Sequence, residues 1–173
     1  MFRLYSTLAL SGICALTIGC GKTEMATQTR PSSLGVDSSF LASSEPTEST
    51  PVKAARQELE NGQEATLVGI IGGSKEPFVD GLAAFTIVDP SIPYCAGDDD
   101  CPTPWDYCCT QDQVRDGIAT VKMVDDAGAP VAVDARELLG VKELSEVLVS
   151  GTAVRDDEGN LTLVANKVFV KKP

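Results

Sequence analysis

The sequence predicts an all-β fold: a small barrel of five principal strands with one short helix. Three observations carry this. From Glu64 onward, apolar residues come in short runs with a period near two, the spacing of half-buried strands. Gly, Pro and Asp clusters separate those runs at turn-forming positions. Residues 64–173, about 110 in all, suffice for one core of barrel size.

Taken in order, residues 54–60 read as a short helical turn stopped at Asn61-Gly62. Residues 65–71 form the first strand, closed by Gly72-Gly73-Ser74. Residues 83–88 form the second, ended by Asp89-Pro90. Residues 118–124 make the third, which residues 125–128 turn into 130–133, its expected hairpin partner. Asp134 has the side chain to cap a helix over 135–139, and Gly140 stops it. The last two strands are 146–154 and 161–170, joined through Asp156-Asp157-Glu158-Gly159-Asn160; Leu161, Leu163 and Ala165 alternate in the second of them.

This order, with a helix between the third strand group and the final pair, resembles the OB-fold, a five-stranded Greek-key barrel. The phrases that carry the resemblance are Val68-Gly69-Ile70, Phe85-Thr86-Ile87-Val88-Asp89, Leu148-Val149-Ser150-Gly151-Thr152-Ala153-Val154 and Leu161-Thr162-Leu163-Val164-Ala165. Gly69 and Gly151 stand where a strongly coiled strand needs a bulge or tight bend. The resemblance implies a binding face on strands two and three. A different small β-barrel or sandwich is the structural alternative.

Ahead of the barrel, residues 1–19 combine one basic residue, Arg3, with an apolar run and a small residue before Cys20. That order is an export signal, too short to span a bilayer comfortably. It resembles a bacterial lipoprotein signal, which implies cleavage before Cys20, a lipid on that thiol, and a place in the cell envelope facing the periplasm or exterior. Residues 20–63, rich in Ser, Thr, Pro and Gln, have too few large apolar side chains to offset their conformational entropy. They are expected to be a disordered tether.

Loss of residues 1–19 removes only Arg3 among the charged residues, so the chain's formal −11 becomes −12. That field repels phosphate backbones and excludes nucleic acid as a natural partner, while favouring cations. The chain has no histidine. This removes the commonest general base and transition-metal ligand, along with every Ser-His or Cys-His pair. Gly72-Gly73-Ser74-Lys75 lacks the spacing of a phosphate-binding loop, and the paired carboxylates fall in turns.

An insertion over about residues 90–116 separates the second and third strands. It holds Cys95, Cys101, Cys108 and Cys109 together with Tyr94, Trp105 and Tyr107. Within residues 94–109, the Gly and Pro residues and Asp98-Asp99-Asp100 preclude a regular strand or helix, and Trp105 is expected to plug the loop against Tyr94 or Tyr107. It resembles inserts in small envelope lipoproteins of planctomycete-type bacteria. Two readings compete. Export places the four cysteines in an oxidising compartment, which predicts two disulfides of undetermined pairing and no cofactor. Four thiolates are also the ligand number for zinc or copper, although the spacing lacks C-x₂-C pairs and adjacent cysteines are expected to splay apart. A reactive Cys108-Cys109 dithiol is the enzymatic alternative, opposed by the nearby Asp106, which raises thiol pKa.

The resulting expectation is a non-catalytic, lipid-anchored interaction module whose stapled loop meets an envelope protein, peptide or glycan through Tyr94, Trp105 and Tyr107. A metal-binding protein that uses the same four cysteines is the alternative.

Overall fold

Alternating burial is what turns the predicted runs into a barrel. The computed structural model describes residues 39–95 and 101–172, all within one compact unit. Cys20, the signal and the first part of the expected tether lie outside them, as does Asp98-Asp99-Asp100.

The strands are β1 (Thr50–Pro51), β2 (Glu64–Ile71), β3 (Ala84–Val88), β4 (Ile118–Met123), β5 (Glu146–Arg155) and β6 (Leu161–Val170); the helices are α1 (Val52–Glu58), α2 (Gln111–Val114) and α3 (Ala135–Leu139). In β2, Leu67 and Ile71 point inward, and in β4 Ala119, Val121 and Met123 do the same. Leu161, Leu163 and Ala165 repeat the pattern in β6. These side chains meet Phe85, Ile87, Val147, Val149 and Ala153 in one core.

The sheet runs β1-β2-β3-β4-β6-β5 and closes through an antiparallel pairing of β2 with β5. β4 and β6 pair in parallel, and the remaining barrel contacts, β2–β3, β3–β4 and β5–β6, are antiparallel. This is the closed five-stranded, OB-like all-β barrel that the resemblance implies. Closure also removes the open strand edges that invite aggregation. The β5–β6 register shifts between Ser150 and Gly151, and a Cβ on Gly151 would come within 2.2 Å of the Val164 carbonyl oxygen. Gly151 is therefore the expected bulge. Gly69 serves a different end, since a Cβ there would meet Ile87 Cβ of the neighbouring strand β3 at 2.8 Å.

Helix α3 matches its expected bounds. The Asp134 carboxylate accepts the Arg136 N–H at 2.8 Å, and Gly140 ends the helix at φ 68°. Residues 130–133 depart from expectation, forming only an isolated bridge between Val124 and Pro130. Pro130 has no N–H to give a ladder, and Val131 instead bonds Met123 and Ala83.

The larger correction concerns residues 39–63, the end of the expected tether. They pack on the barrel. Leu41 bridges to Val168, β1 pairs in parallel with Leu67 and Val68, and Val52 and Ala55 of α1 are fully buried. Lys53 offers its N–H to Asp89 Oδ2 at 2.7 Å. Arg155 of β5 donates to the carbonyls of Leu59 (2.8 Å), Ala55 (3.3 Å) and Arg56. Few large apolar residues are needed here because the segment adds to an existing core and makes none of its own. Among the described residues no helix is long and apolar enough to cross a membrane.

Candidate functional site

The insertion leaves β3 at Asp89 and docks on the end of β2. Asp89 is buried, with Oδ1 accepting the Ser91 N–H (2.9 Å) and hydroxyl (2.6 Å) while Oδ2 takes the Lys53 N–H. Burial pushes its pKa up, but the bonds from Ser91 and Lys53 outweigh that and hold it below the usual value. The carboxylate thus fixes both the start of α1 and the start of the insertion.

A 3₁₀ turn, Pro104–Asp106, follows Cys101. The Trp105 carbonyl accepts the Gly73 N–H at 2.8 Å, and its indole N–H donates to the Lys75 carbonyl at 3.0 Å. A Cβ on Gly72 would stand 2.6 Å from that Trp105 oxygen and 2.9 Å from Tyr107 Cε2. Gly73 adopts φ 96°. The glycine pair, read from sequence as a turn, is the seat on which the insertion rests.

Tyr107, not Trp105, is the plug. It is fully buried in a small core with Val88, Ile92 and Val114, while Trp105 stays half-buried. The Tyr94 ring meets Tyr107 edge-on at 6.3 Å and is 40% exposed. The Tyr107 hydroxyl has no hydrogen-bond partner among the described residues, and burial, helped by Tyr94 and Asp89, pushes its pKa up to about 12. Of the three aromatic residues expected to meet a partner, Tyr107 is thus withdrawn from solvent.

Tyr107 also sets the direction of the cysteines that follow. Its left-handed backbone (φ 55°, ψ 35°) reverses the chain, and Asp106 Oδ1 then accepts the Cys108 N–H at 2.8 Å. Asp106 Oδ2 is held by the Thr103 hydroxyl at 2.8 Å. The adjacent thiols consequently converge, against expectation, at 3.7 Å. Cys95 Sγ lies 3.3 Å from Cys108 Sγ and 3.2 Å from Cys109 Sγ, and Cys101 Sγ lies 3.6 Å from Cys108 Sγ. The sulfurs of Cys95 and Cys101 are within 4.8 Å of each other, and a carboxylate oxygen of Asp106 falls inside the same limit. None of these contacts approaches the ~2.05 Å of a disulfide, and the described residues contain no such bond. The two expected disulfides are therefore not formed in this structure.

The cluster polarises its own members. Hydrogen bonding from the Cys109 side chain and N–H, then from Cys108, pulls the Cys95 thiol below its ordinary value. The Cys108 thiol is pushed far up by its bonds to Cys95, Cys101 and Cys109. Cys95 is buried, Cys101 intermediate, and Cys108 and Cys109 exposed, so the quartet opens to solvent on one side.

Among the described residues, two shallow grooves lie elsewhere on the barrel. One, of about 460 Å³, runs between Glu48, Leu59, Thr66 and Ser150; the other, of about 220 Å³, lies between Arg56, Thr120, Asp156 and Thr162. Neither is lined by a cysteine. No protein-family model matches this chain, and no curated protein does so either.

Proposed function

We propose that this chain is a non-catalytic metal-binding protein whose barrel presents four thiolates, from Cys95, Cys101, Cys108 and Cys109, to a single zinc(II)-class ion. The sulfur spacing is the observation that carries this reading. Four thiolates around one ion at the usual Zn–S length of ~2.3 Å stand about 3.8 Å apart, the edge of a tetrahedron. Of the six edges, four here measure 3.2–3.7 Å and a fifth, Cys95–Cys101, is no longer than 4.8 Å. An iron–sulfur cluster spreads its thiolates over several irons around an inorganic core, and this spacing leaves room for one ion only. Copper(I) also favours thiolates, but commonly takes fewer of them.

The surroundings support a cation. The chain's net charge of −11 draws positive ions toward the opening left by Cys108 and Cys109. Asp106 holds the Cys108 backbone in place, a supporting role with the weight such groups carry around metals. Export and a lipid on Cys20 belong to the same proposal, resting on residues 1–20 of the sequence, and put the metal-holding loop in the cell envelope.

Titration of the reduced chain with cobalt(II), a coloured stand-in for zinc, tests the reading. One equivalent should produce the intense visible absorption of a tetrahedral thiolate site, and zinc should displace it. Cys95→Ser should weaken binding by at least about 100-fold, beyond the 10–100-fold typical of outer-shell partners. A reduced chain that binds neither ion would overturn it.

A further inference from the structure

We infer that the quartet is a redox-gated metal site: oxidation closes it into two nested disulfides, Cys95–Cys109 and Cys101–Cys108, and expels the ion. The release half rests on the metal-binding reading above. The pairing half rests on the sulfur contacts alone.

Four pairs of sulfurs lie in contact: Cys95–Cys108, Cys95–Cys109, Cys101–Cys108 and Cys108–Cys109. Of these four pairs, only one choice of two uses every sulfur once, namely Cys95–Cys109 at 3.2 Å with Cys101–Cys108 at 3.6 Å. Forming both bonds shortens these distances by about 1.2 and 1.6 Å, to the ~2.05 Å of a disulfide. Movements of that size fit within a loop whose other anchors contain no cysteine side chain. Trp105 stays on Gly73 and Lys75, and Tyr107 stays in its apolar seat.

Exposure sets the order of events. Each pair joins one exposed cysteine, Cys109 or Cys108, to a less exposed one, Cys95 or Cys101. The oxidant is an external disulfide, which can reach the exposed member. The Cys109 thiolate attacks one sulfur of that disulfide and expels the other half as a thiol, leaving a mixed disulfide. Cys95 then attacks the Cys109 sulfur and expels the second half. Cys108 and Cys101 repeat the sequence. Overall, four thiolates lose four electrons to two external disulfides, four protons are taken up, and four external thiols and one divalent ion leave. Disulfide sulfur is no longer a thiolate ligand, so the ion loses all four sulfur ligands and leaves.

The test treats the reduced, zinc-loaded full chain with oxidised glutathione. Thiols are counted and released zinc is followed with a chromogenic indicator. The expected result is one zinc released as four thiols disappear. Tandem mass spectrometry with fragmentation between Cys108 and Cys109 should find the two stated bonds. Zinc retained after the thiols are gone, or a different pairing, overturns the inference. The metal-free chain oxidised in parallel reports the pairing independently. A chain that never loads zinc therefore defeats the metal reading and the release step, while the pairing is still decided. One variant sharpens the pairing: Cys108→Ser should leave Cys101 alkylatable with Cys95–Cys109 bonded. The native map decides the matter should that variant fail to fold.

Discussion

Single residues show most clearly how sequence and structure divide the information. The four cysteines are legible as a group because one short insertion holds them all. Their convergence is not legible, because it depends on the left-handed backbone of Tyr107 and on Asp106 gripping the Cys108 N–H, and neither leaves a spacing signal. Gly72-Gly73 is visible as a pair, yet its role depends on which loop approaches it from elsewhere in the chain. Asp89 reads as a strand terminator and proves to be a buried hub joining α1, β3 and the insertion. Asp89→Asn would set an amide N–H₂ against donors on one side or the other. About 2 kcal/mol of stability should be lost at neutral pH, in line with bonds to a charged acceptor. The sign of the pH dependence follows from the depressed folded-state pKa. The Asp89 contribution is fully present above the unfolded-state value near 4 and fades as pH falls through the lower folded-state value. Urea unfolding from pH 7 to pH 3 should show the wild-type advantage over Asp89→Asn holding steady to about pH 5 and then narrowing. A gap that is constant, or that widens in acid, contradicts the role.

Elements are readable wherever a local pattern coincides with a local cause. Period-two burial locates β2, β4 and β6, and an N-cap aspartate with a terminal glycine locates α3. The helical turn expected over 54–60 is present as α1, but the docking of residues 39–63 on the barrel escapes the sequence because distant partners hold it. α1 has no side-chain cap of its own, and its first-turn N–H at Lys53 is satisfied by Asp89, 36 residues away. Its last turn is held by Arg155, about a hundred residues away, a cation at the end where helix carbonyls collect. A chain beginning at Gln63 should therefore be less stable than one beginning at Ser39 by at least about 3 kcal/mol. It loses the burial of Val52 and Ala55 and strands the polar groups of Asp89 and Arg155. Chemical unfolding of the two chains compares them directly, and coincident midpoints would mean that the segment only decorates the barrel.

On the scale of the whole molecule, the barrel and the cysteine loop draw their stability from separate sources. The main core draws on β2–β6, α1 and α3 and includes no cysteine. The insertion rests instead on the small cluster of Val88, Ile92, Tyr107 and Val114. Small zinc domains commonly unfold when stripped of metal, because the ion substitutes for a core they lack. This chain has its core without the ion. The reduced, metal-free chain should accordingly keep its far-ultraviolet circular dichroism and a single cooperative unfolding transition. Adding zinc should raise its stability only by mass action, about 2.7 kcal/mol at a free concentration one hundred times the dissociation constant, because the folded state alone assembles the quartet. Global unfolding on chelation would instead mean that the loop holds the barrel together. A stable metal-free barrel fits a loop able to gain and lose its ion while the scaffold stays folded, and only such a loop can be emptied by oxidation without destroying the protein that carries it.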